Sequence, residues 1–160
     1  MSTNNHVLVE FADTHDGKEA EGLVDYRLED QVGFLLRRAH QRASGIFSEH
    51  FRDSSVSPVQ FAALVKIRDE GRVSQNQLGR LTHMDPATIM GVIKRLAARD
   101  LIRRYPDAGD RRRMMLGITS SGLKLVEEHV EMGRRVTEDT LAPLDPGERA
   151  TFLELLAKLT

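Results

Sequence analysis

Lysine and arginine side chains crowd one part of this sequence. Eight of them, Lys94, Arg95, Arg99, Arg103, Arg104, Arg111, Arg112 and Arg113, face only Asp100, Asp107 and Asp110, a local surplus of five positive charges in a chain whose formal charge is −1. Guanidinium and ammonium groups at this density pair with phosphate, and a basic stretch standing out from a near-neutral chain is the footprint of a nucleic-acid backbone binder. Covalent chemistry has far less to draw on. There is no Gly-rich phosphate loop, nucleophile elbow or H-E-x-x-H motif, and Asp107 and Asp110 fall in a Pro/Asp/Gly turn rather than forming a catalytic pair. The six histidines (His6, His15, His40, His50, His83, His129) lack ligand spacing, and without cysteine there is no thiol redox chemistry. No catalytic residue, metal or cofactor is expected.

The elements that carry these charges are legible nearby. Asp85 can accept backbone N–H groups at a helix start, and Pro86 suits the first helical position. Ile89, Val92, Ile93 and Leu96 recur at i, i+3, i+4 and i+7 and must be buried. Opposite them lie Ala87, Met90, Gly91 and Lys94, with Thr88 and Arg95 on one flank, a slim basic face suited to a narrow, negatively charged space. Just upstream, Ser74 to Gln77 has capping-box form and opens a short helix ending near His83, so two helices stand in helix-turn-helix order. Downstream, Leu101–Tyr105 and Arg111–Thr119 flank the turn Pro106–Asp110 as a β-hairpin with a basic tip, and Arg72-Val73 can add a third strand.

The remaining chain frames this unit. Residues 1–27 form a polar, acidic tail, in which Val7, Leu8, Val9 and Phe11 can pair as a strand or pack as an arm on a partner subunit. Leu28 to Phe51 reads as one long helix, with Arg37, Arg38 and Gln41 off its apolar stripe, His40 at one edge and Arg42 at the other. Ser57 opens the next helix, stopping at Gly71. A helix from about Ser120 to Leu141 and a last one capped by Asp145-Pro146 complete the chain. The terminal helices carry more apolar surface than one chain can cover, which predicts burial across a two-fold axis. With no apolar run near ~18 residues and no signal pattern, the expected location is cytoplasmic. The fold class is mainly α with a small β wing: tail 1–27, dimerisation helix 28–56, winged helix-turn-helix 57–119 and dimerisation helices 120–160.

From Ser57 to Gly122 the sequence resembles the multiple-antibiotic-resistance regulator (MarR) family of winged helix-turn-helix transcription factors. The resemblance rests on Ser57–Phe61, Asp85–Leu96, Leu101–Arg104, the D-x-R element of Asp110 and Arg112, and the run Leu116–Gly122. Asp100 departs from it, standing where the family usually has glycine. Asp tolerates the left-handed conformation better than most residues, so the helix cap is expected to survive. The resemblance implies a homodimer placing two such helices about 34 Å apart on a pseudo-palindromic double-stranded operator. Pro86, Ala87, Thr88, Met90, Gly91 and Lys94 then face bases and phosphates: Thr88 as a hydroxyl donor, Ala87 and Met90 against thymine methyls. Arg95 makes either a DNA contact or an internal salt bridge. Arg112, held by Asp110, enters the minor groove; Arg111 and Arg113 meet phosphates or solvent, and Gln75 meets a phosphate.

The run Asp30–Arg42 is similar to that of relatives controlling the degradation of aromatic or heteroaromatic acids. By that likeness Arg38 or Arg42 pairs an effector carboxylate and His40 polarises or stacks on the ring, against the alternative of plain surface charge. The function implied is an effector-released repressor of a catabolic or efflux operon. The alternative is a winged-helix protein-interaction module, or a constitutive DNA binder without an effector.

Overall fold

Short polar signals start nearly every helix. The computed structural model describes residues 26–54, 56–110 and 112–160; the expected arm at residues 7–11 and the Arg111 site lie outside them. The first long helix begins later than its apolar period suggests. Leu28–Asp30 form a single 3-10 turn, Gln31 is extended, and α1 runs Val32–His50. The Gln31 side chain donates to the Arg27 carbonyl at 2.9 Å, which stabilises the break that the stripe alone does not reveal.

A complete capping box of Ser57 and Gln60 opens α2 (Pro58–Glu70), and Gly71, at φ 70°, ends it. β1 (Arg72–Ser74) is the expected third strand. Ser74 then caps α3 (Gln75–Leu81), and Asp85 caps α4 (Pro86–Ala98). β2 (Ile102–Pro106) and β3 (Met114–Ile118) form the hairpin, and the antiparallel sheet has the order β1-β3-β2, with Val73 opposite Leu116 and Arg104 opposite Leu116 on the other edge. α5 (Ser120–Thr140) and α6 (Pro146–Ala157) close the chain, the latter behind an Asp145/Glu148 capping box. No helix among the described residues is long and apolar enough to cross a membrane.

The core sits under the winged unit. Leu64, Ile67, Val73, Leu78, Ile93, Leu96 and Val126 are fully buried, so α2, α3, α4, the sheet and the first half of α5 share one apolar centre. The terminal helices contribute little to it. α1 buries only Phe47, α6 buries nothing, and Val32, Leu35, Leu36, Phe152, Leu153, Leu155 and Leu159 are exposed. α1 is tied to the rest by a stack of Phe47 on Phe51 (3.9 Å), with Phe61 edge-on to Phe51 at 4.9 Å, and by polar contacts to the end of α5.

One joint fixes α5 to the wing. The Thr119 amide donates to the Leu101 carbonyl at 3.1 Å, its hydroxyl donates to the Asp100 carbonyl at 2.7 Å, and the same oxygen caps the Gly122 amide at 3.0 Å. A Cβ at Gly122 would lie 2.1 Å from the Leu101 carbonyl oxygen. The close approach permits no side chain, which is the physical content of the T-x-x-G spacing.

Candidate nucleic-acid interface

α4 presents two chemically opposite sides. Ile89, Val92, Ile93 and Leu96 are buried, whereas Ala87, Thr88, Met90, Lys94 and Arg95 are exposed. Met90 is 58% exposed, an unusual position for a large apolar side chain. At Gly91 the nearest atoms to an added Cβ belong to the Arg95 guanidinium at 3.5 Å, an ordinary contact. Packing within the chain therefore does not demand glycine here, and its lack of a side chain keeps the outward face low. Arg95 forms no ion pair among the described residues, so the internal salt bridge is not the arrangement adopted.

At the start of α4 one expectation needs correcting. Asp85 Oδ1 accepts the amides of Ala87 and Thr88 at 2.9 Å each, and the Thr88 hydroxyl donates to Asp85 Oδ2 at 2.5 Å. The Thr88 hydroxyl, and then these amides, hold the Asp85 carboxyl below its usual range. Thr88 therefore spends its proton inside the protein. It is not free as a hydroxyl donor to an outside group.

The turn between α3 and α4 has no glycine of its own. His83 takes the left-handed conformation, at φ 51°, while the Met84 amide reaches back to the Gly79 carbonyl at 3.0 Å. A Cβ at Gly79 would meet the Met84 carbonyl oxygen at 3.3 Å, so this glycine lets the two helices close up. Between them lies a hollow of about 800 Å³ that Gln75 and Pro86 line with Asn76, Arg80 and His83, three polar residues that the sequence pattern alone does not single out. The far end of α4 is built the same way. Asp100 is left-handed at φ 52°, the Leu101 amide bonds the Leu96 carbonyl at 3.0 Å, and the Asp100 carboxylate pairs with Arg103 at 3.2 Å. The cap survives without glycine.

In the wing, Asp107 organises the turn. Its Oδ1 accepts the amides of Gly109 at 2.8 Å and Asp110 at 3.0 Å, and those two bonds, aided by Arg113, keep its carboxyl below the usual range. Asp110 in turn accepts the Arg112 amide at 3.0 Å. The D-x-R element thus holds the Arg112 backbone, while its side chain is exposed and forms no ion pair among the described residues. Arg113 folds back: its Nη2 donates to Ser74 Oγ at 3.3 Å, beside Gln75 at the start of α3. Residues from both sides of the sequence, Gln75 and Arg113, are thereby brought to one cleft.

The three candidate effector residues on α1 part company. His40 and Arg42, at opposite edges in helical projection, both line a cavity of about 440 Å³ closed by Thr140, Leu141 and Pro143 of the α5–α6 corner and by Phe152 and Leu156. Arg42 also ends α5, with Nε donating to the Thr140 carbonyl at 3.1 Å and Nη2 to the Asp139 carbonyl at 2.9 Å. Arg38 does not line this cavity; its guanidinium stands over the Phe34 ring at 5.8 Å.

Known proteins resemble this chain in sequence and fold. The MarR family model matches residues 56–114. The repressor NicR of Pseudomonas putida is 40% identical over 134 residues, covering 84% of this chain and 85% of NicR. Among solved structures, a probable transcriptional regulator from Pseudomonas aeruginosa is 42% identical with a TM-score of 0.81, covering 84% of this chain and all of that one. BpsR of Bordetella bronchiseptica, whose DNA binding is described as regulated by 6-hydroxynicotinic acid, is 40% identical with a TM-score of 0.80 over 84% of this chain and 96% of its own. A basic helix with its apolar side sunk in a winged core, an arginine-tipped turn beside it, and these likenesses along most of the chain have one meaning: the chain belongs to the MarR family of DNA-binding transcriptional regulators.

Proposed function

We propose that the protein is a homodimeric repressor that grips a pseudo-palindromic operator and releases it on binding a small aromatic or heteroaromatic acid. The observation that carries the DNA reading is the solvent-facing side of α4, where Ala87, Thr88, Met90 and Gly91 leave a low surface beside the exposed cations Lys94 and Arg95. Arg112 then reaches the minor groove, and Gln75, Arg95, Arg111 and Arg113 meet phosphates. The dimer is supported by the apolar trough that Val32, Leu35, Leu36 and Ala39 form with Phe152, Leu155, Leu156 and Leu159, which stays open among the described residues.

The effector reading rests on the neighbouring cavity. Its walls are apolar except for His40, Arg42 and Thr140, as a planar ring with one anionic substituent would require. Arg42 uses two of its five donors on α5 and retains others for a carboxylate in a pre-set orientation. The 40% identical BpsR makes 6-hydroxynicotinic acid the first compound to test.

The experiment is fluorescence anisotropy on DNA flanking the protein's own gene, with and without saturating 6-hydroxynicotinic acid and a panel of other aromatic acids. Affinity should fall with at least one acid, and Arg42→Lys, which keeps the charge but loses the fork, should bind DNA normally while responding weakly. Unchanged affinity across the panel would leave a constitutive DNA binder. Binding insensitive to ionic strength would instead favour a protein-interaction module, because phosphate contacts weaken steeply with salt.

A further inference from the structure

Thr88 lies in the first turn of α4, the part of a recognition helix that meets base edges once it enters the major groove, so any role for it in sequence choice rests on the DNA reading proposed for α4. A threonine hydroxyl gives one proton and accepts at two lone pairs, and can therefore answer either kind of base atom. Here the choice is made before DNA arrives. An ionised carboxylate has no proton to offer, so in the 2.5 Å contact between Thr88 Oγ1 and Asp85 Oδ2 the proton comes from threonine. Asp85 cannot turn away easily, because its other oxygen holds the amides of Ala87 and Thr88. What Thr88 still offers outward is a pair of acceptor sites and a methyl group.

We propose that Asp85 acts as a positioning residue for sequence choice: by holding the Thr88 proton it makes Thr88 an acceptor-and-methyl reader, which rejects guanine at the base it faces. Adenine presents an exocyclic amine in the major groove and its thymine partner a methyl, so both outward features of Thr88 find complements. Guanine presents only acceptors there, O6 and N7, which meet the oxygen lone pairs unfavourably, whereas the cytosine amine can still donate, so the discrimination is against guanine on the strand that Thr88 faces.

Asp85→Asn reverses the logic while keeping the helix start, since Asn caps as well as Asp. Its oxygen can take the two amides, and its amide nitrogen then donates to Thr88 Oγ1, freeing the hydroxyl proton to point outward. The test is selection from a randomised operator library with the full chain, for wild type, Asp85→Asn and Thr88→Val, each first confirmed folded by circular dichroism. Wild type should reject guanine about fivefold at one position per half-site, on the strand that Thr88 faces, the worth of one net hydrogen bond. Asp85→Asn should abolish or invert that bias and leave the rest of the consensus intact; Thr88→Val should weaken it. An Asp85→Asn consensus identical to wild type at every position, or a Thr88→Val protein with undiminished bias, overturns the inference. A wild-type protein that enriches no sequence overturns the major-groove reading and this inference with it.

Discussion

Lys94 and Arg112 are both exposed, and neither forms an ion pair among the described residues, so each has its full charge to give to DNA. Lys94→Ala should weaken operator binding similarly across sequences and reduce the slope of log affinity against log salt by about 1, the signature of one lost phosphate contact. Arg112→Ala should weaken binding most on operators with A·T-rich flanks, where a narrow minor groove strengthens the attraction. Anisotropy titrations over a salt series separate the two; if the double variant binds like wild type, the interface is misplaced. Asp107 makes a pH prediction. Its folded-state pKa is depressed by the Gly109 and Asp110 amides, so its contribution to stability is complete above the unfolded value of about 3.9 and is lost as pH falls through the lower folded value. Asp107→Asn keeps an oxygen for the amides but no charge. Its thermal midpoint should therefore fall less than that of wild type as the pH is taken below about 4, a difference that scanning calorimetry measures directly.

Elements whose causes are local are readable from the sequence. Ser57 with Gln60, Ser74 with Gln77, Asp85 with Pro86 and Asp145 with Glu148 each complete their capping within four residues, so pattern and structure coincide. Features made by distant partners are not. Nothing near Arg42 in sequence announces the α5 carbonyls it binds, and the His50 to Asp139 contact at 2.7 Å joins residues on different helices. The His83 turn is hidden for another reason: histidine enters the left-handed region often enough to serve, but too rarely to mark it. The break at Gln31 is concealed because the apolar period continues through it. Gly122 belongs to a legible motif, but the contact that explains it is visible only in the fold. Gly122→Ala should destabilise the protein by about 1–3 kcal/mol, as other forced insertions do, because its methyl meets the Leu101 backbone rather than a movable side chain. Urea unfolding measures this. A change within about 0.5 kcal/mol, the usual range for surface substitutions, would show that the joint yields freely.

As a whole molecule the protein divides its apolar surface between a finished centre under the wing and an unfinished one on α1 and α6. Leu155, on α6 and 55% exposed, tests the second. Leu155→Glu should leave the winged unit folded yet shift the protein to a monomer in light scattering and lower its affinity for a two-half-site operator far more than for one half-site. A dimer that survives this change with Leu35→Glu added would place the two-fold contact elsewhere. The joint of Thr119 and Gly122 with Leu101 has a mechanical consequence for such an assembly. α5, 21 residues and so ~31 Å long, is seated at one end on the residues that directly follow α4, while its other end is grasped by Arg42 and His50. It is a lever with its working tip at the foot of α4. A tilt of ~5° about the grasped end would carry the tip ~3 Å, from a rod of that length. That is close to one base-pair rise, enough for two reading heads to fall out of step with the duplex.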